Sequence, residues 1–216
     1  MFGLQSVISG DARGAMLWLV ASQILDGLDG PIARRFDVKL HAPRIDGHTL
    51  DLVIDYVTCV VVPTVFMLHL EMLPIHFEAL IAAFIFVSSA LWFARSDLET
   101  DDHWFRGFPA VWNLAVATMF ICNLSPTVVA IISIILSLSQ FTSFKIPHIV
   151  RATWMRSVTL PFGIIYIAAL TYLSYKYPFV ESPLITLCIV ILVAFPVYVV
   201  IVSAIKTVKD RQDEKR

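Results

Sequence analysis

Apolar residues in this chain come in long blocks separated by short polar breaks, without the period of an amphipathic helix or a half-buried strand. A helix needs about 20 consecutive apolar residues to cross the hydrocarbon of a bilayer. On that scale the pattern predicts seven membrane spans, at about 12–34, 48–71, 76–94, 107–122, 126–141, 159–175 and 182–206. The fourth and fifth are short and rest on the break Cys122-Asn123-Leu124-Ser125-Pro126, where proline removes a backbone donor and ends a helix. Residues 1–9 are apolar but too short to span, and they lack the basic start of a signal peptide. They are expected to be an interfacial stub or the end of a truncated first helix. The predicted fold is all-α: a polytopic transmembrane bundle forming one domain over residues 1–216.

Composition supports the spans. Hydrophobic residues make up 58% of the chain and charged residues 15%, with a mean hydropathy of +0.78. Soluble domains are near half apolar and a quarter charged. A net charge of −1 gives no basic surface for nucleic acid, and that partner class is set aside. Cys59, Cys122 and Cys188 each lie inside an apolar run, without a CxxC or His/Cys cluster that would hold zinc, and read as small hydrophobes.

Lys and Arg concentrate on the cytoplasmic side of membrane proteins. If the chain alternates sides from the second span onward, fourteen of its sixteen basic residues fall on one face. They lie in four segments: Arg34, Arg35, Lys39 and Arg44; Arg95 and Arg106; Lys145, Arg151 and Arg156; and the tail from Lys206 to Arg216. Only Arg13 and Lys176 fall on the other side. One missed helix would scramble this split, so the basic face is expected to be cytoplasmic.

The same face carries the chemistry. Asp26-Gly-Leu-Asp29-Gly30-Pro-Ile-Ala33-Arg34 closes the first span, and Gly47-His-Thr-Leu-Asp51-Leu-Val-Ile-Asp55 opens the second. Spacings of three and four put each pair of aspartates on one helix face. Two antiparallel helices joined by a short loop would turn those faces toward each other. Four carboxylates at the membrane boundary need compensation, and an all-oxygen ligand set suits Mg²⁺ or Mn²⁺ with positions left open for phosphate. Gly27, Gly30, Ala33 and Gly47 would let a ligand or a neighbouring backbone come close, and Arg34 offers a fixed positive charge. The plainer alternative is that these are helix-end acids paired with Arg34, Arg35, Lys39 and Arg44.

The eight positions Asp26, Asp29, Gly30, Ala33, Arg34, Gly47, Asp51 and Asp55 resemble the signature of the CDP-alcohol phosphotransferase family, whose residue each of them carries. The resemblance implies a membrane enzyme that displaces CMP from a CDP-linked donor with an alcohol. It implies that Asp26, Asp29, Asp51 and Asp55 ligate divalent metal and that Asp55 takes the proton of the acceptor alcohol. It also implies a nucleotide and phosphate surface at Gly30, Ala33, Arg34 and Gly47.

Twelve residues separate Arg34 from Gly47, more than in most of the family. That spacing, the stretch Phe105-Arg-Gly-Phe108-Pro109-Ala-Val-Trp112-Asn113 and the basic loop Ile146-Pro147-His148-Ile-Val-Arg151 look like the bacterial phosphatidylcholine synthase branch. The likeness implies CDP-diacylglycerol as donor, choline as acceptor, and an inner-membrane location; it leaves a homodimer open. Arg151 would then lie near the diphosphate. Choline, a quaternary ammonium without a donor, is best held by aromatic faces. Candidates near the cytoplasmic ends of spans are Tyr56, Trp92, Phe93, Trp104, Phe108, Trp112 and Trp154, with Asn113 the polar residue that membrane depth does not explain. The alternative for each is an interfacial aromatic belt. The run Asp97, Glu99, Asp101, Asp102 reads as a solvated loop.

Rival functions remain at this level. The acceptor could be serine, glycerol 3-phosphate or inositol phosphate. Intramembrane prenyltransferases also use helix-end aspartates, but in two motifs far apart in the chain. A metal or proton transporter would place carboxylates near the bilayer midplane, whereas all four lie at one face.

Overall fold

The structure, a computed structural model, describes residues 1–213. Helix α1 (Phe2–Ile8) leads into α2 (Ala12–Arg35), the one-turn α3 (Val38–His41) and α4 (Gly47–Asp55). A π-helical stretch over Tyr56–Val61 then joins α4 to α5 (Val62–His69), making one continuous helix of 23 residues. There follow α6 (Glu78–Phe93), β1 (Trp104–Arg106), α7 (Trp112–Ile121), α8 (Pro126–Ser139), β2 (Lys145–Pro147), α9 (Arg156–Lys176) and α10 (Pro183–Asp213).

Local chemistry sets the two helices that carry the aspartates. Asp11 caps α2, its carboxylate accepting from the Gly14 N–H at 2.8 Å, while Arg34 and Arg35 sit in the last turn where the helix dipole favours cations. Asp46 caps α4 by accepting from the His48 N–H and the Thr49 hydroxyl, at 3.1 and 2.7 Å. The π-turn has a cause downstream. Pro63 has no N–H to donate and its ring crowds the carbonyl one turn earlier, and a widened turn relieves both. Thr58 and Thr64 place their hydroxyls on the carbonyls of Ile54 and Val60, at 3.0 and 2.7 Å.

Helix α7 is the centre of the bundle. Seven of its ten residues are buried, and it packs against α2, α5 and α9. Helix α6 lies on α8 and α9 on α10. Three helices, Gly47–His69, Arg156–Lys176 and Pro183–Gln212, are long and apolar enough to cross a membrane by length and composition; α6, α7 and α8 are apolar but shorter.

Several expectations need adjusting. The chain is mostly helical but not wholly so, because β1 and β2 pair antiparallel with Trp104 opposite Pro147. The fourth predicted span does not begin at 107. Gly107 is left-handed at φ +77°, and a Cβ there would stand 2.3 Å from the Ser139 carbonyl oxygen, so this turn is wedged against the end of α8 and the helix starts at Trp112. Ala110, also left-handed, keeps the same stretch out of helix. The last helix continues beyond 206 to Asp213. Residues 2–8 form α1, which packs on α2 and α5, with Phe2 stacked on Trp18 at 5.3 Å and Val7 buried.

Three of the four basic segments meet at one end of the bundle. Lys206 pairs with Asp102 at 2.7 Å, Lys145 with Asp210, and Arg95 with Asp97 at 2.8 Å. Arg95 also donates to the Gln140 carbonyl at 2.8 Å, and the Lys145 N–H to the Thr207 hydroxyl at 3.0 Å. The acidic run expected to be a solvated loop is therefore tied down: Asp97, Glu99 and Asp102 each face a cation, and Asp101 is exposed. Lys215 and Arg216 lie outside the described residues.

Candidate active site

The C-terminal part of α2 and the start of α4 bring the motif together. Oxygens of Asp26, Asp51 and Asp55 all lie within 4.8 Å of one another. Asp26 faces Asp55, and Asp29 faces Asp51. Antiparallel helices produce this crossing of partners, because the residue earlier on one strand of the pair meets the residue later on the other. Asp26, Asp51 and Asp55 are half-buried and Asp29 is exposed.

Among the described residues, no salt bridge joins any of these four aspartates to Arg34, Arg35 or Arg44. Arg151 and His48 are the basic groups whose charge reaches Asp51. The cluster is thus a concentration of negative charge that the chain leaves largely uncompensated, unlike the paired run at 97–102. Its donors are hard carboxylate oxygens. Ligand atoms around Mg²⁺ at about 2.1 Å stand roughly 3–4 Å apart, so small rotations of these side chains suffice to hold it. The residues fit a divalent cation of the Mg²⁺ or Mn²⁺ type.

The small residues divide by what surrounds them. A Cβ at Gly27 or Gly47 would meet nothing within 4 Å, so neither glycine serves close backbone packing. Both face open space. At Gly30 a Cβ would come 3.3 Å from the Arg34 guanidinium, which folds back over that residue. Ala33 and Arg34 are exposed on the same turn region.

Arg151 is half-exposed and stands 4.0 Å from Glu99, which also meets the His103 ring at 2.7 Å. His148 stacks on Phe105 with centroids 5.3 Å apart, and burial, helped by Arg151, pushes its pKa below the ordinary imidazole value.

The structure does not bring the five suggested choline contacts into one cage. Trp104, the first residue of β1, is fully buried against Trp154, with Lys206 over its ring. Phe108 and Trp112 pack edge to face at 5.0 Å inside the core, and the Trp112 N–H donates to Ser89 at 2.9 Å. Tyr56 follows Asp55 directly, is half-buried, packs on Phe93 and donates its hydroxyl to the Phe86 carbonyl at 3.0 Å.

Asn113 points at α2. Its amide nitrogen donates to the Leu19 carbonyl at 3.3 Å and to the Gln23 side-chain oxygen at 3.2 Å. Gln23 in turn donates to the Asp26 carboxylate at 3.0 Å. Gln23 was absent from the sequence-derived site. A signal for it exists: it is a polar residue within an apolar span, three positions before Asp26 and so on the same face.

No protein-family model matches the chain. It is similar to the phosphatidylcholine synthase of Pseudomonas aeruginosa, 36% identical over 148 residues that cover 68% of this chain and 62% of that protein. The phosphatidylcholine synthase of Rhizobium meliloti is 37% identical over 143 residues, covering 66% of this chain and 59% of the relative. That of Borreliella burgdorferi is 32% identical over 165 residues, 76% of this chain and 70% of the relative. The chain spans about six tenths of the length of the first two.

Proposed function

Since the chain belongs to the phosphatidylcholine synthase family, we propose that it transfers the phosphatidyl group of CDP-diacylglycerol to choline and releases CMP. The observation that carries the proposal is the convergence of Asp26, Asp51 and Asp55 within 4.8 Å, with Asp29 against Asp51. That arrangement suits a diphosphate-bearing substrate far better than a structural ion pair.

The choline hydroxyl oxygen attacks the phosphorus that bears the diacylglycerol. The bond from that phosphorus to the bridging oxygen breaks, and CMP leaves with that oxygen. Asp55 takes the hydroxyl proton. Mg²⁺ or Mn²⁺ held by Asp26, Asp29, Asp51 and Asp55 would supply charge neutralisation on the diphosphate. Arg34, together with Arg151, whose charge reaches Asp51, would hold phosphate oxygens, with Gly30, Ala33 and Gly47 leaving room for the nucleotide. Of the suggested aromatics, Tyr56 is the one beside Asp55 with a partly open ring, and it would face the trimethylammonium group. Trp104, Phe108, Trp112 and Asn113 support the site from within the protein.

The chain crosses the bacterial inner membrane seven times in this proposal, with the aspartates at the cytoplasmic face. The gathering of basic segments at one end of the bundle supports that placement. The short helices α6, α7 and α8 would cross as parts of a protein-lined interior, where irregular backbone can be satisfied by neighbouring helices.

The test is an acceptor panel in detergent: CDP-diacylglycerol with choline, ethanolamine, serine, glycerol 3-phosphate or inositol phosphate. Phosphatidylcholine and CMP in equal amounts are the expected products. Preference for another alcohol defeats the choline assignment alone. No CMP release with any acceptor defeats the transferase.

A further inference from the structure

We infer that Gln23 and Asn113 are positioning residues that hold the Asp26 carboxylate in its metal-binding orientation. The inference rests on the metal-dependent reading of the aspartates. The path runs from α7 to α2: the Asn113 side-chain nitrogen donates to the Gln23 oxygen at 3.2 Å, and the Gln23 nitrogen donates to Asp26 at 3.0 Å.

Both ends of this path are groups that only accept. The Leu19 carbonyl takes a hydrogen bond from Asn113 at 3.3 Å, and an ionised Asp26 carboxylate has no proton to give. Asn113 must therefore turn its amino group toward α2, Gln23 must turn its oxygen to Asn113, and the Gln23 amino group is left facing Asp26. Two amides in series admit a single orientation. The result is a donor aimed at the Asp26 carboxylate on one side while Asp55 meets it on the other.

Packing alone does not account for an amide at position 113. The residue is fully buried, and its side-chain oxygen has no hydrogen-bond partner. An apolar residue of similar size would remove that unsatisfied acceptor. What it would lose is the fixed orientation of Gln23. Groups of this kind, which orient a ligand without touching the metal, commonly change metal affinity when replaced.

The experiment is a Mn²⁺ titration followed by electron paramagnetic resonance on the purified full chain in detergent, comparing the unaltered protein with Gln23→Met and Asn113→Asp. Gln23→Met keeps the shape and removes the donor, and Mn²⁺ affinity is expected to fall about tenfold or more. The Mn²⁺ concentration giving half-maximal turnover should rise in step, while thermal unfolding in EDTA stays close to that of the unaltered protein. Asn113→Asp is isosteric but reverses the path. The new carboxylate draws the Gln23 amino group toward itself and turns the Gln23 oxygen toward Asp26, so Mn²⁺ affinity should fall at least as far. If Asn113→Asp does not fold, Gln23→Met still decides, because Gln23 is only half-buried. Unchanged Mn²⁺ affinity in folded Gln23→Met, with binding intact in the unaltered protein, overturns the positioning role and leaves the metal site standing. A lower unfolding temperature with unchanged affinity overturns it as well. No Mn²⁺ binding by the unaltered protein removes the metal site and the positioning role together.

Discussion

The carboxylates of Asp26 and Asp55 face each other across the junction of α2 and α4, close enough to hold one cation between them. They are separated by a basic loop and a one-turn helix in the chain, yet the antiparallel return of α4 makes them opposite neighbours. Asp29 and Asp51 repeat the pairing one turn away.

That geometry gives the first prediction. Four carboxylates without a salt-bridge partner among the described residues should work only with a cation present. Turnover of CDP-diacylglycerol with choline should stop in EDTA and return with Mg²⁺ or Mn²⁺. Undiminished turnover after thorough chelation would exclude a metal-dependent site.

Asp55 is assigned the proton. Asp55→Asn keeps the shape and removes the base, so turnover should drop by about 10²-fold or more. Binding of CDP-diacylglycerol, followed by calorimetry in detergent, should persist. Turnover close to that of the unaltered enzyme would move proton transfer to another group.

The aromatic residues should separate into two classes. Tyr56→Ala removes a ring beside Asp55 and should raise the choline KM several-fold, since one such face contributes about 0.5–2 kcal/mol to a quaternary ammonium. Trp112→Phe removes a buried N–H bond to Ser89 and should lower stability by about 1 kcal/mol with the choline KM unchanged. A choline KM that responds to Trp112 and not to Tyr56 would reverse the assignment.

Orientation can be read by labelling. A cysteine at the exposed Asp101 should react only with reagents that reach the cytoplasm, and one at the exposed Glu181, beyond Lys176, should react from outside. The native thiols Cys59 and Cys188 are buried and will contribute little background. The opposite labelling pattern would refute the proposed topology.

The aspartate pairs were legible in the sequence because helical spacing is a local property: positions three and four apart share a face whatever surrounds them. The apolar blocks were legible for a similar reason, although block length alone could not show that Gly107 and Ala110 hold residues 107–111 out of helix. Contacts between distant residues were not legible. Asn113 meets Gln23 from 90 positions away, and only the packing of α7 against α2 reveals that its polarity serves a motif carboxylate. The pairing of Trp104 with Pro147 was hidden likewise, since three-residue strands carry almost no periodic signal. The π-turn had a cue in Pro63, whose missing N–H demands some local adjustment, but the cue does not say which.

The π-turn also sets the phase between the two halves of this helix. A π-turn holds about one residue more than an α-turn, so everything after Tyr56–Val61 is rotated by roughly 100° relative to an uninterrupted α-helix. That rotation keeps Pro63, Phe66 and Met67, all buried, turned inward while Asp51 and Asp55 face α2. Deleting a single residue from the stretch would remove the extra residue and leave a regular α-helix with its two halves in nearly the same phase. Straightening the turn at full length, or removing a residue between Asp51 and Asp55, would instead put them out of phase, and either the aspartates would leave their partners or Phe66 and Met67 would leave the core. The stretch Tyr56–Val61 is therefore the place in this helix where the loss of one residue keeps both faces aligned.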